Sequence, residues 1–154
     1  VHCQTVIKRP YQEKLCVATV NVGTLRGRAS EVVETISRRN IDICCLREVR
    51  CRGAGTRLLT GKDSQYKLFW VGNKEGNSGV GVLLAEKWID KVIHINRVSD
   101  RLMLLKILIG KQVLSVISAY APQQGLSNEV KDRFYADLVL HTSKIDERNN
   151  YPWW

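Results

Sequence analysis

The sequence contains no apolar run approaching the roughly 20 residues of a membrane-spanning helix, and its N-terminus has no hydrophobic segment of the signal-peptide kind. Its five cysteines form no CxxC pair. Neither a disulfide framework nor a zinc site is therefore expected, and a reducing compartment fits. There is also no internal repeat and no low-complexity segment, so 154 residues predict one domain or a piece of a larger one.

Acidic residues are scarce relative to basic ones. The chain has 24 Lys and Arg against 15 Asp and Glu, which gives a formal net charge of +9. Such an excess is typical of a protein that binds a polyanion, with nucleic acid first and an anionic membrane surface second, although charge for solubility alone is the alternative. Much of the excess comes from eight arginines in one part of the chain: Arg26, Arg28, Arg38, Arg39, Arg47, Arg50, Arg52 and Arg57.

The first third of the chain predicts a strand, a helix and a second strand. Leu15–Val22 is almost continuously apolar and β-branched, and Ile41–Leu46 is a second short apolar run. The intervening EVVETISRR has helical periodicity, with Ser30 as its expected N-cap and Asn40 as its expected end. This order and spacing predict a βαβ unit in which the two strands run parallel.

Each of these predicted strands ends at a polar residue, Asn21 in the first and Glu48 just past the second. In a parallel pair the two ends lie on the same sheet edge, which is where open α/β sheets bind ligands. An amide and a carboxylate there suit a hard cation such as Mg²⁺. The structural alternatives are that Asn21 only satisfies a turn and that Glu48 is a solvated partner of Arg47 or Arg50.

The remainder of the chain predicts mainly strands in one mixed sheet. Residues 1–14 form a polar, basic leader, Cys51–Gln65 is expected to be a long loop, and Ser127 is expected to cap a helix that ends near Lys144. That helix should pack through Val130, Phe134, Leu138 and His141. The further predicted strands are Tyr66–Val71, Val80–Ala85, Val92–Val98, Arg101–Ile109 and Val113–Tyr120.

Four fragments stand in order along the chain: TVNVGTL around Asn21, CLREVR around Glu48, KEGNSGVGVLL from Lys74 to Leu84, and ISAYAP around Tyr120. With these fragments the sequence resembles the endonuclease/exonuclease/phosphatase superfamily. Within it, the sequence is most similar to the endonuclease domain of non-LTR retrotransposons and to craniofacial development protein 2-like proteins. The resemblance covers most of this chain but only the N-terminal part of the family's domain.

The resemblance implies an α/β fold, about half of a four-layered DNase I-like sandwich, with a mixed β-sheet and flanking helices over residues 15–144. It implies Mg²⁺-dependent phosphodiester hydrolysis of DNA. Glu48 would be the direct metal ligand, Asn21 would help to hold the metal ion or orient the nucleophile, and Tyr120 would contact the scissile phosphate. The resemblance also implies an intracellular, nuclear location. The residues that it places against DNA are Arg50, Gly76, Asn77 and Arg101.

The chain departs from the family's pattern at several points. Val20 stands where the family usually has Trp, and Arg47 stands where it usually has Gln. The later Gly-Asp-x-Asn and Ser-Asp-His motifs, whose groups activate the attacking water, do not occur. We therefore expect a truncated, inactive nuclease with an atypical tail at residues 145–154. The alternatives are a non-enzymatic basic domain that still binds nucleic acid, and a phosphoesterase acting on a lipid or inositol phosphate.

The truncation also leads to a prediction about packing. If only half of a two-sheet sandwich is present, the inner face of the mixed sheet is left without a partner. An uncovered apolar face predicts a large exposed patch, low stability and self-association.

Overall fold

The computed structural model describes residues 2–7 and 14–145, and the predictions for residues 1, 8–13 and 146–154 lie outside the described part. The described residues form an α/β fold, as the sequence predicts. No helix among them is long and apolar enough to cross a membrane. The elements in chain order are β1 (His2–Ile7), β2 (Leu15–Asn21), α1 (Ala29–Arg38), β3 (Ile43–Arg47), β4 (Ala54–Thr60), β5 (Gln65–Val71), β6 (Val80–Ala85), α2 (Glu86–Ile89), β7 (Val92–Ser99), β8 (Leu102–Ile109), β9 (Gln112–Ala119) and α3 (Asn128–Ser143).

The strands form two sheets. The first has six strands in the order β1-β2-β3-β6-β5-β4, and the second has three in the order β7-β8-β9. The parallel pairing of β2 with β3 is confirmed, whereas the other neighbours in both sheets are antiparallel. Strand β1, which comes from the basic leader, pairs with β2. The first sheet is therefore mixed, with one parallel pair beside the predicted site.

The prediction of one mixed sheet is wrong, because β7, β8 and β9 form a sheet of their own. The short helix α2 turns the chain after β6, and the Lys91 N–H then donates to the Trp88 carbonyl before β7 begins. Alternation of apolar residues along a strand identifies its buried face, but it does not identify the sheet to which the strand belongs.

The inner face of the first sheet is covered, so the predicted uncovered patch on that face is wrong. Side chains of the two sheets pack together in one buried cluster, and Met103, Leu105 and Ile107 of β8 have no exposed surface. Self-association stays a prediction. The buried partners from the first sheet include Ile43, Phe69, Val80, Val82 and Leu84.

Helix α1 packs on the opposite face of the first sheet through Val33 and Ile36. It begins at Ala29, and Ser30 lies inside the helix. The Ser30 N-cap is therefore wrong, because the carbonyl of Arg28 already accepts from the Val32 N–H.

The predicted end of α1 at Asn40 is confirmed. Asn40 has a left-handed φ of 50° and its N–H donates to the Ser37 carbonyl. The Ile41 N–H donates to the Ile36 carbonyl. These are the two hydrogen bonds of a Schellman motif, in which asparagine tolerates the left-handed position better than most residues do.

Strand β4 lies in the segment Cys51–Gln65, which the sequence predicts as a long loop; that prediction is wrong. The strand pairs with β5 from Ala54 opposite Val71 to Thr60 opposite Gln65. It is the outer strand of its sheet and only Leu59 is buried, so it shows little of the apolar alternation by which strands are predicted.

Helix α3 begins as predicted, since the Ser127 hydroxyl accepts from the Val130 N–H at 3.4 Å. Its packed side includes the buried Phe134 and the partly buried Leu138 and His141, as expected. Val130 is 41% exposed, so its assignment to that side is wrong.

Candidate active site

The two predicted polar residues, Asn21 and Glu48, meet where the neighbouring strands β2 and β3 of the first sheet end. Asn21 is the last residue of β2 and lies opposite Arg47, the last residue of β3, and Glu48 follows directly. The Val22 N–H donates to the Arg47 carbonyl and extends the parallel pairing by one step. Asn21 Nδ2 donates to Glu48 Oε1 at 2.9 Å. The two strand ends therefore bring the amide and the carboxylate into direct contact.

The backbone fixes the orientation of the Asn21 amide. Asn21 Oδ1 accepts from the Gly23 N–H at 3.0 Å, so the oxygen holds the turn and the NH₂ group faces Glu48. Asn21 thus donates a hydrogen bond that orients the Glu48 carboxylate. Its contact with a metal ion stays a prediction.

Tyr120 joins this pair from the second sheet. It follows β9, and its own N–H donates to the Arg101 carbonyl at 2.9 Å. The Tyr120 hydroxyl donates to Glu48 Oε1 at 2.8 Å, although the two residues are 72 positions apart in sequence. Packing of the two sheets therefore places the third predicted residue against the first two.

The other oxygen of Glu48 is paired with Arg50. Arg50 Nη2 lies 3.1 Å from Glu48 Oε2, and the side chains are 48% and 20% exposed, respectively. Arg50 as a partner of Glu48 was one of the structural alternatives from the sequence, and that contact forms. The carboxylate is thus bonded on both of its oxygens.

These contacts lower the pKa of Glu48 below its ordinary value of 4.5. The hydrogen bond from Asn21 is the largest cause, followed by the one from Tyr120; partial burial acts in the opposite direction, and Arg50 lowers the pKa further. Each donor favours the ionised form. Glu48 is therefore a carboxylate at neutral pH.

The predicted DNA-contacting turn at Gly76 and Asn77 lies beside two arginines. Asn73 Oδ1 accepts from the Gly76 N–H at 2.8 Å and from the Asn77 N–H at 3.2 Å, which closes the turn. A Cβ added at Gly76 would lie 2.6 Å from Arg26 Nη2 and 2.9 Å from Arg52 Cγ. Arg26 and Arg52 are thus residues of this surface that the resemblance did not single out, and only their place in the basic segment pointed to them.

Arg101, another predicted DNA contact, lies against Tyr120. Its Nη1 is 3.4 Å from the Tyr120 carbonyl oxygen and 3.5 Å from that of Ala121, and its guanidinium carbon lies 5.4 Å from the centre of the Tyr120 ring. These contacts help to hold the backbone and the ring of Tyr120 in position. A phosphate contact by Arg101 stays a prediction.

The eight arginines do not form one surface. Arg28 pairs with Glu31 on α1, and Arg38 lies in the last turn of that helix, at the end away from the site. Arg47 Nε is buried, with no hydrogen-bond partner among the described residues. We call Arg26, Arg50 and Arg52, which lie next to Glu48 or the Gly76 turn, the arginine cluster.

The site offers a hard cation one carboxylate ligand, that of Glu48. Within residues 14–145, no group of three or more His, Cys, Asp and Glu side chains is arranged to hold a metal ion. Mg²⁺ is commonly bound through one or two carboxylates together with water and substrate phosphates. Glu48, ionised and partly exposed, could be such a ligand.

Comparison with known proteins gave matches among solved structures. No family model matches the sequence, and no curated protein matches it. The structure is similar to that of an AP endonuclease from Archaeoglobus fulgidus, with a TM-score of 0.58 and 21% identity, over 88% of this chain and 54% of that one. It is also similar to the catalytic domain of Xenopus laevis APE2, with a TM-score of 0.51 and 16% identity, over 79% of this chain and 51% of that one.

A third similar structure is the endonuclease domain of TRAS1, a telomere-specific non-LTR retrotransposon, with a TM-score of 0.48 and 11% identity over 82% of this chain and 52% of that one. The chain spans about half the length of each of these structures. On the first two matches, the chain has a DNase I-like fold.

Proposed function

We propose that this chain belongs to a metal-dependent DNA endonuclease of the abasic-site or retrotransposon type. One observation carries the proposal: the carboxylate of Glu48 is held by Asn21 from the adjacent parallel strand and by Tyr120 from the second sheet. Two of the similar structures are an AP endonuclease and the catalytic domain of APE2, and this likeness supports the same activity. DNA is the proposed partner, and a nuclear location is proposed with it.

In this proposal Glu48 binds the metal ion, and its two neutral donors keep the carboxylate ionised and oriented. Mg²⁺, when bound, supplies positive charge at the phosphate during hydrolysis. Tyr120 holds the carboxylate through its hydroxyl and lies next to the proposed phosphate position. The arginine cluster and the turn at Gly76 and Asn77 bind neighbouring phosphates of the DNA backbone.

A second candidate is a basic domain that binds nucleic acid without cutting it. The ion pair between Glu48 and Arg50 favours it, because the carboxylate proposed to bind metal is already paired with a cation. The two candidates agree on DNA binding and differ on hydrolysis.

DNA binding is tested by fluorescence anisotropy with a labelled duplex, with and without an abasic-site analogue, over a range of salt concentrations. We expect affinity to fall as salt rises, with a slope of about −0.9 for each phosphate contacted. The double variant Arg26→Gln/Arg52→Gln should reduce the magnitude of that slope by about 2. The matched control is Arg38→Gln/Arg39→Gln, which removes the same charge at the far end of α1 and should leave the slope nearly unchanged.

Cutting is tested by nicking of supercoiled plasmid and of abasic-site DNA with Mg²⁺, with an inositol phosphate as a third substrate. Nicking by wild type that is lost in Glu48→Gln supports the nuclease proposal and contradicts the expectation that this chain is inactive. Salt-dependent binding without nicking agrees both with that expectation and with the second candidate. Equal nicking by wild type and Glu48→Gln would exclude the proposed role of Glu48. An affinity that does not change with salt would exclude the phosphate-binding surface.

A further inference from the structure

In the carboxylate of Glu48, one oxygen accepts hydrogen bonds from neutral donors and the other accepts from a cation. Asn21 Nδ2 and the Tyr120 hydroxyl both donate to Oε1, at 2.9 and 2.8 Å. Oε2 accepts from Arg50 at 3.1 Å. A metal ion that binds this carboxylate without breaking the neutral network must therefore bind Oε2, the oxygen that Arg50 also contacts, and would lie close to the positive charge of Arg50.

The backbone between the two charged residues holds this pair in place. Glu48 and Arg50 have left-handed φ values of 57° and 51°, which are uncommon for residues other than glycine. Val49 between them is fully buried; its N–H donates to the Gly79 carbonyl and its carbonyl accepts from the Leu25 N–H. The strained segment is therefore anchored at its centre, so the ion pair is part of the folded site.

We propose that Arg50 and a divalent metal ion compete for the Glu48 carboxylate, so that Arg50 sets the metal affinity of the site. This inference rests on the proposed function, because it takes Glu48 as the metal ligand. Arg50 is 48% exposed, so its side chain can move to solvent, whereas Glu48 remains held by Asn21 and Tyr120. When metal binds, the displaced guanidinium becomes available to a phosphate oxygen.

The test measures Mn²⁺ binding by electron paramagnetic resonance at low ionic strength, without DNA and without a reading of activity. Wild type is compared with Arg50→Gln, which keeps a polar side chain but removes the competing cation. We expect the dissociation constant of Mn²⁺ to fall about tenfold, since both the ion pair to be broken and the charge repulsion are lost. Arg50→Lys, which keeps the charge, should stay close to wild type.

The matched control is Arg52→Gln, which removes one charge from the same segment. Arg52 is exposed, and the described hydrogen bonds of the Glu48 side chain go to Asn21, Tyr120 and Arg50. It should change the dissociation constant by less than about threefold. Equal effects of Arg50→Gln and Arg52→Gln would overturn the inference, because general electrostatics would then be sufficient. Weaker binding in Arg50→Gln, or no binding in either wild type or Arg50→Gln, would overturn it as well.

The variant Glu48→Gln separates failure of this inference from failure of the proposed function. If Glu48→Gln loses Mn²⁺ binding, the proposal that Glu48 is a metal ligand stands. If Arg50→Gln and Arg52→Gln then have equal effects, only the proposed competition is rejected. Mn²⁺ binding by Glu48→Gln equal to that of wild type would reject the metal site, and the inference with it. Thermal unfolding followed by circular dichroism verifies that each variant is folded.

Discussion

At the scale of single residues, Glu48 shows how a site is built from ordinary hydrogen bonds. A charged group that is partly removed from water needs donors that replace the lost hydration. Asn21 and Tyr120 supply two such donors without adding charge, and Arg50 supplies a third together with a positive charge. Because two of the three donors are neutral, replacing Arg50 leaves the carboxylate oriented.

Removing one neutral donor should shift the titration of Glu48. We expect Tyr120→Phe to raise the pKa of Glu48 towards its ordinary value of 4.5, and Asn21→Ala to raise it further, because the Asn21 hydrogen bond is the larger cause of the depression. The measurement is a carbon-13 NMR titration of the glutamate carboxyl groups. Tyr135→Phe, at a tyrosine that is 55% exposed on α3, is the control. An unchanged pKa of Glu48 in both site variants would contradict the described network.

The lowered pKa of Glu48 also determines the sign of a pH effect on stability. Because the pKa of Glu48 is lower in the folded chain than in the unfolded one, its stabilising contribution is complete above the ordinary value of 4.5. It is lost as the pH falls through the depressed pKa. The difference in stability between neutral and acidic solution should therefore be smaller in Tyr120→Phe than in wild type.

At the scale of secondary-structure elements, one buried carboxylate, away from the site, joins β2 to α2. Asp42 lies between α1 and β3 and is 6% exposed. Its Oδ2 accepts from the Cys16 N–H of β2 at 2.7 Å. Its Oδ1 accepts from Trp88 Nε1 at 3.1 Å and lies 2.8 Å from Lys87 Nζ, both on α2. Asp42 therefore fixes the start of the parallel pair against the turn that leads to the second sheet.

Replacing Asp42 by Ala should lower the free energy of unfolding by about 2–4 kcal/mol, because the buried donors of Cys16 and Trp88 lose their acceptor. Urea denaturation followed by circular dichroism measures the change. Asp63→Ala, at an exposed aspartate in the loop between β4 and β5, should stay within about 0.5 kcal/mol of wild type. Similar losses in the two variants would show that the carboxylate contacts do not stabilise the fold.

At the scale of the whole molecule, the packing of the two sheets on each other both buries the core and completes the site. Leu105 at the centre of β8 is fully buried in this interface, while Leu108 on the same strand is 38% exposed. Leu105→Ala should cost about 2–5 kcal/mol, because it leaves a cavity between the sheets. Leu108→Ala, the same change on the same strand, should cost less than about 1 kcal/mol in urea denaturation. Equal costs would contradict the described packing.

The sequence alone predicts the features that depend on neighbouring residues. The apolar runs around Asn21 and before Glu48, with a helix between them, predict a parallel pair that ends at two polar side chains, and those side chains are in contact. Asn40 and Ser127 are predicted at helix ends because their capping depends on residues within a few positions. For the same reason an exposed outer strand such as β4, which has little apolar pattern of its own, is missed.

Only the tertiary structure decides the features that depend on distant parts of the chain. The separation of β7–β9 into a second sheet follows from how the chain turns at α2 and from which apolar faces bury each other, and no local pattern encodes that choice. The contact between the Tyr120 hydroxyl and Glu48 depends on how the two sheets pack together. The position of the Gly76 turn beside Arg26 depends on how the loops pack. The sequence thus determined which residue types stand at the strand ends, because strand and helix periods are local. The fold determined which of them meet, because burial of apolar surface is a property of the whole chain.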